Sequence, residues 1–181
     1  MTSCISYLES IDSTNEEAKR RLKSQTTTPF AIVADTQTHG KGQRENRWCS
    51  DSKEGLYYSL ALAPERCDIA NIQEHYNDIG NIIIQFIKAK SGLEATLKKP
   101  NDILIKGKKC VGILVETVIG SESKHPKYVI IGVGFNINQT SFPDEIKSRA
   151  ISLRQLTNQS YNKKDFIEHL TKELPHVFKR R

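Results

Sequence analysis

The sequence predicts an α+β fold, a mixed and largely antiparallel sheet with helices packed on it. Three observations carry this reading. Apolar runs of strand length outnumber stretches with helical periodicity. Four of those runs follow one another between residues 94 and 135 with no helix between them, unlike a repeating βαβ chain. The 181 residues contain no internal repeat, low-complexity tract or linker, so they suit one domain large enough to bury a core.

Residues 4–11 alternate enough for a short strand. Ser13 stands three residues before Glu16, the capping-box spacing, which predicts a helix over 14–23. A break at 26–29 leads into FAIVAD (30–35), a short apolar run that reads as a buried strand. Residues 36–55 differ in kind: they are polar, carry Gly40, Gly42, Gly55 and Trp48, and are long for an idle loop. Strand character resumes in LYYSLALA (56–63). Residues 69–89 form the longest helical candidate, with Ile72, Tyr76, Ile79, Ile83 and Phe86 recurring every three or four positions. Three strands follow at 94–98, 103–106 and 111–118. The first two are separated by Pro100-Asn101-Asp102, and Lys106-Gly107-Lys108 makes a hairpin turn. YVIIGVGF (128–135) is a further strand, residues 152–157 a short helix, and 163–178 a last helix with Pro175 near its end.

Composition narrows the function. Hydrophobic residues at 37% and charged residues at 27% are ordinary for a folded soluble chain. MTSCISYLESID lacks the basic start and apolar run of a signal peptide, and no stretch approaches the roughly 18 apolar residues of a membrane span. The expectation is a soluble, cytoplasmic protein. Cys4, Cys49, Cys67 and Cys110 form no C-x-x-C pair and no zinc or disulfide framework, and read as reduced thiols. The net charge of +6 favours nucleotides, nucleic acid or acidic proteins as partners, or merely keeps the chain soluble.

Several groups of residues could carry chemistry. In Gly40-Lys41-Gly42-Gln43-Arg44, glycines let backbone N–H groups approach an anion and the cations neutralise it. No G-x-x-x-x-G-K-[ST] loop is present, and the same pattern suits an ordinary surface loop. Trp48 offers a stacking face for a flat ring such as adenine. Lys98-Lys99-Pro100-Asn101-Asp102 sets cations beside a carboxamide and a carboxylate, although Pro-Asn-Asp is also a common turn. Lys109 opens a strand in which Gly112 marks either close approach of a ligand or a bulge. Asp12-Ser13-Thr14-Asn15 either caps a helix or recognises a polar head group. Gln37 edges the glycine loop, and Asn136 follows the two glycines of GVGF, where it could read a base. The five histidines lack ligand spacing, and no serine sits in a nucleophile elbow, so hydrolase chemistry has no visible basis.

Taken in order, seven segments resemble the catalytic domain of biotin–protein ligases across nearly the whole chain. They are Asp12 to Asn15, Ala34 to Gln37, Gly40 to Trp48, Lys98 to Asp102, KCVGILVE (109–116), GVGFNIN (132–138) and AISL (150–153). The resemblance implies the class II synthetase-like biotin/lipoate ligase fold. It implies an enzyme that forms a carbon–nitrogen bond with ATP and Mg²⁺, activating biotin as biotinyl-5′-AMP. The acyl group then passes to a lysine of a biotin carboxyl carrier protein. Ser13, Thr14, Asn15 and Gln37 match positions around the biotin rings, with Gly112 on the same substrate. Gly40, Lys41, Gly42, Gln43 and Arg44 match the loop that closes over biotin and the adenylate phosphate. Trp48 matches the tryptophan that packs on adenine, and Asn136 a nucleotide contact. Lys109 matches the lysine beside the biotin carboxyl and α-phosphate. Lys98, Asn101 and Asp102 fall in a K-W-P-N-D motif linked to nucleotide and magnesium, which makes Asp102 the metal candidate. Lys109, Arg44 and Lys98 are the implied catalytic cations.

The chain also departs from that pattern. The family's G-R-G-R-R-G reads GKGQRE here, so Gln43 replaces an arginine expected to help retain the adenylate. Lys99 stands where a tryptophan is usual. No helix-turn-helix precedes residue 1, so a repressor role and DNA binding are not expected. The chain stops at Arg181, about where a small C-terminal barrel begins in many relatives. The expectation is a single catalytic domain over 1–181, with a homodimer left open. A lipoate- or octanoate-transferring enzyme of the same superfamily is the nearest rival. Against a basic nucleic-acid-binding domain, the aromatics do not interleave with the basic residues.

Overall fold

A computed structural model describes residues 4–24, 26–65, 67, 72–119 and 125–179. Seven strands form one sheet: β1 (Cys4–Ile11), β2 (Phe30–Gln37), β3 (Leu56–Leu62), β4 (Thr96–Lys98), β5 (Asp102–Ile105), β6 (Lys108–Ile119) and β7 (Pro126–Phe135). Their order across the sheet is β1-β2-β3-β7-β6-β5-β4. Only the β1–β2 pair is parallel; the other five neighbouring pairs run antiparallel. The parallel pair needs a crossover, and helix α1 (Thr14–Lys23) supplies it.

The two faces of the sheet are covered unequally. On one face, α2 (Ile72–Ser91), α4 (Lys163–Glu173) and a 3₁₀ turn (Leu174–Phe178) close the main core. Residues alternating along the strands point into it: Leu56, Tyr58 and Leu60 from β3, and Val129, Ile131, Val133 and Phe135 from β7. On the other face, α1 covers one end by packing Ala18 and Leu22 on Phe30, Ile32, Ala61 and Ile130. The rest of that face is left for the site.

Most predicted elements recur with small shifts. Along α2 the fully buried stripe is Tyr76, Ile79, Ile83 and Ile87, while Phe86 is only partly buried and stacks on His169 at 4.0 Å between ring centroids. The predicted start of that helix, Ile69, lies outside the described residues. The last helix ends at Glu173 and tightens into a 3₁₀ turn, because Pro175 has no N–H to continue the α ladder. The capping box at Ser13 does not form: that side chain makes no cap bond, and Glu16 turns instead to Lys19 and Lys41. A capping box does form at Ser152, which opens α3 (Leu153–Thr157) with Gln155 as its partner. None of the four cysteines is joined in a disulfide. Among the described residues, no helix is long and apolar enough to cross a membrane.

Candidate active site

Strand parity builds the floor of a cavity of about 260 Å³ on the half-covered face. Gly112 of β6 sits directly opposite Gly134 of β7, and Gly132 lies two residues along, on the same side. A Cβ at Gly134 would collide with the Trp48 ring, and one at Gly112 would come within 2.7 Å of it. The glycine pair is therefore a flat seat for the indole, whose buried Nε1 has no hydrogen-bond partner.

One end of the cavity is a buried polar network. The Thr14 N–H donates to Gln37 Oε1 at 2.8 Å, and the Thr14 hydroxyl donates to the same oxygen at 3.2 Å. Gln37 thus caps the helix that Ser13 leaves uncapped. Gln37 Nε2 donates to the Ser50 hydroxyl at 3.1 Å, which in turn donates to the Trp48 carbonyl at 2.8 Å. The Ser59 hydroxyl lies 2.7 Å from Thr14 Oγ1 and 2.5 Å from Asn15 Oδ1. Asn15 Nδ2 donates to Glu116 Oε2 at 2.7 Å, with its amide over Gly132. Every member is fixed by another, so this end is preorganised.

The glycine loop is an ordered ribbon. Lys41 and Arg47 form an antiparallel bridge, Trp48 N–H donates to Gly40 O at 2.9 Å, and Gly42 N–H donates to Asn46 O at 2.7 Å. Its tip, a 3₁₀ turn over Gln43–Glu45, holds Arg44 at a left-handed φ of 52°. Gly40 has no room for a side chain against Ser50, Trp48 and Gln37, which lets the ribbon's base close down on the network.

Lys109 reaches the cavity because of a β-bulge. The register of β5 on β6 shifts so that Ile103 faces Val111 while Leu104 faces Lys109. Cys110 is the extra residue, and both Cys110 and Val111 enter the main core. Strict alternation would have put Lys109 on the core side; the bulge turns it to the glycine side. Its backbone is clamped by Arg149 O at 2.7 Å, the Ile151 N–H at 3.0 Å and Asn136 Nδ2 at 3.3 Å. The ammonium pairs with Asp102 Oδ1 at 2.7 Å and stands 5.0 Å from the Trp48 ring centre.

Most of the residues singled out in the sequence meet here. Ser13, Thr14, Asn15 and Gln37 line the polar end, and Lys41, Gly42, Gln43 and Arg44 roof it. Trp48, Gly112, Asn101, Asp102 and Lys109 complete the walls. Asn101 is pinned by donating from Nδ2 to Ile113 O at 2.8 Å, which fixes the turn carrying Asp102. Three residues do not line this cavity. Lys98 is exposed on β4, at the far edge of the sheet. Asn136 is buried behind Lys109, bonded to its carbonyl and to Gln139. Gly40 borders a second hollow of about 610 Å³ across the ribbon, shared with Tyr76, Val115 and Glu116. The sequence reading also missed Tyr57 and Leu114 as wall residues, and Ser59 and Glu116 as supports. Ser59 and Glu116 did carry a signal: each is a polar residue within or ending an apolar strand run.

Comparison with known proteins agrees with this geometry. Residues 7–136 match the biotin/lipoate A/B protein ligase family, and the chain belongs to that family. It is 36% identical over 166 residues to the bifunctional ligase/repressor BirA of Bacillus spizizenii, covering 91% of this chain and 50% of that protein. It is 25% identical over 146 residues to the biotin–[acetyl-CoA-carboxylase] ligase of Mycobacterium tuberculosis, covering 79% of this chain and 52% of that one. The biotin protein ligase of Aquifex aeolicus, solved with biotin and ATP, superposes with a TM-score of 0.81 at 30% identity. That match covers 97% of this chain and 70% of the Aquifex chain. The mixed, largely antiparallel sheet is the class II synthetase-like fold of these ligases. The chain spans about half the length of the curated relatives it matches.

Proposed function

We propose that this chain activates biotin as biotinyl-5′-AMP and transfers it to a lysine of a biotin carboxyl carrier protein in the cytoplasm. The observation that carries the proposal is convergence. Lys109 and Arg44, 65 positions apart in sequence, line one cavity beside a fixed network of neutral polar groups. The first step brings a carboxylate against an α-phosphate. Two such charges about 4 Å apart repel by roughly 4 kcal/mol at an effective dielectric near 20, or about three powers of ten in rate. In this reading Lys109 and Arg44, both lining the cavity, offset that repulsion. A carboxylate oxygen attacks the α-phosphorus, a mixed anhydride forms, and pyrophosphate departs with the electrons of the broken P–O bond. The acceptor amine then attacks the acyl carbon, losing a proton as the amide forms and AMP leaves. Positioning carries most of this second step, since the acyl group is already activated.

Asp102 is suited to magnesium. Its Oδ1 pairs with Lys109, and a magnesium ion held mainly by nucleotide phosphates needs one or two protein carboxylates rather than a cage. Such an ion would neutralise phosphate charge. The hydrogen-bonding groups of Thr14, Asn15 and Gln37 suit a ureido ring better than the plain alkyl chain of an octanoyl group. The similarity to a ligase solved with biotin and ATP supports the same choice.

ATP–pyrophosphate exchange measured side by side with biotin, lipoate and octanoate tests the proposal. Biotin is expected to support exchange; exchange with octanoate or lipoate but not biotin overturns it. Gln43 roofs the cavity where the resemblance to biotin–protein ligases implies an arginine, so Gln43→Arg is expected to slow adenylate release about tenfold, the scale of one hydrogen bond to a charged group. Equal release rates for the two proteins reject that role.

A further inference from the structure

The roof of the cavity is tied down by a run of ions that crosses three elements. Glu16 Oε1 accepts from Lys41 Nζ at 2.6 Å and from Lys19 Nζ at 2.8 Å. Lys19 Nζ also reaches Glu116 Oε1 at 2.7 Å, and the other Glu116 oxygen accepts from Asn15 Nδ2. The path runs from the ribbon through α1 to β6 and returns to the polar end of the cavity. Its two lysines and two glutamates sum to zero charge. We propose that Glu16 is a positioning residue that latches the Gly40–Trp48 ribbon over the cavity by holding Lys41, a role that rests on the reading given above.

The contrast with Glu17 separates a latch from ordinary helix decoration. Glu17 pairs with Arg20 and Arg21 three and four residues along the same helix. Such pairs lie within one element and support only local helix. Glu16 instead reaches 25 residues in sequence to a different segment. Bonds from Lys19 and Lys41 hold its carboxyl below the usual glutamate range, so the latch is ionised at neutral pH. A further consequence concerns charge at the site. With Lys41 neutralised by Glu16, the cations left to face substrate phosphate from the ribbon are the arginines. Lys41 then serves to hold the roof, while Arg44 and Lys109 supply charge to the reacting groups.

Trypsin reads the latch directly, because the ribbon contains cleavable bonds after Lys41, Arg44 and Arg47. The full chain, without ligands, is digested at low and high salt, and nicking within the ribbon is followed by mass spectrometry. Glu16→Gln is expected to be nicked about two- to fivefold faster than the native protein at low salt, the range of a partly exposed ion pair. Nicking of the native ribbon rises with salt as the pair is screened, and that dependence disappears in Glu16→Gln. Adenylate release rises by the same factor. Glu17→Gln, an identical charge change one residue away, leaves ribbon nicking and its salt dependence at native values. The proposal is overturned if Glu16→Gln nicks at the native rate, or if Glu17→Gln accelerates nicking equally, which would mean general loosening of α1. If the native protein shows no exchange with biotin, the functional reading fails, while the trypsin comparison still decides the latch.

Discussion

Replacing Lys109 by glutamine is expected to lower the maximal rate of biotin-dependent ATP–pyrophosphate exchange by about two to three powers of ten with little change in stability. Magnitudes separate the two effects. The Lys109–Asp102 pair is only partly buried, with side chains 34% and 27% exposed. An ion pair of that kind contributes on the order of 1 kcal/mol or less, so the melting temperature should fall by no more than about 2–4 °C for a chain of this size. Loss of a preorganised charge aimed at developing negative charge, by contrast, is typically worth about 10² to 10³ in rate. The variant also leaves Asp102 in the cavity wall without its counter-charge, which is expected to deepen the rate loss. Exchange kinetics and a thermal melt on the same preparation check both halves. A rate within about threefold of native would remove Lys109 from the chemistry, and a large drop in melting temperature would recast it as structural.

The orientation of that lysine shows where sequence reading ran out. The strand over 111–118 was legible as an apolar run of strand length, in which Val111, Ile113 and Val115 fall at every second position. Extending the same alternation back to Lys109 puts the side chain in the core, beside Val111. The bulge at Cys110 reverses this, and it depends on how β5 meets β6 rather than on any local residue pattern. Capping at the first helix failed for a similar reason. Ser13 and Glu16 have the right spacing, but the Ser13 N–H donates to Asp12 Oδ1, Lys19 and the distant Lys41 take the Glu16 carboxylate, and Gln37 accepts the Thr14 N–H instead. At Ser152 the distant carbonyls of Gln139 and Thr140 accept from the Ser152 hydroxyl and Gln155 Nε2, which leaves the two acceptor oxygens of the box free, and the local box forms.

The site was legible as a set of segments but not as roles within them. Motif resemblance brought Asn136 and Lys98 forward alongside Lys109, and only packing distinguishes them. Asn136 follows the last residue of β7, where its amide fills the space behind β6 and braces the Lys109 carbonyl. The AISL segment, which has no evident chemistry, does the same from the opposite side through Ala150 and Ile151. Residues that do not line the cavity can thus be part of the recognisable pattern, because they hold one that does.

The second large effect concerns the glycine seat. Gly134→Ala is expected to raise the KM for ATP about tenfold or more while leaving the protein folded. Neither Gly134 nor Gly112 has a left-handed φ, so alanine fits the backbone at both positions. The added methyl instead meets Trp48, a side chain on the ribbon rather than the packed core. Overpacking of this kind costs about 1–3 kcal/mol when the neighbour cannot move, and less when it can swing away. The expected result is eviction of the indole rather than unfolding. Trp48 is the single tryptophan, so its emission reports the event without ambiguity: a red shift is expected in Gly134→Ala. Gly112→Ala approaches the same ring from the facing strand and should give the same shift and the same rise in KM. Because both substitutions displace one group, their effects should not add in the double variant, as coupled neighbours do not. Additive changes in KM, or an unshifted emission spectrum with raised KM, would show that the glycines act on the nucleotide directly and not through the tryptophan they seat.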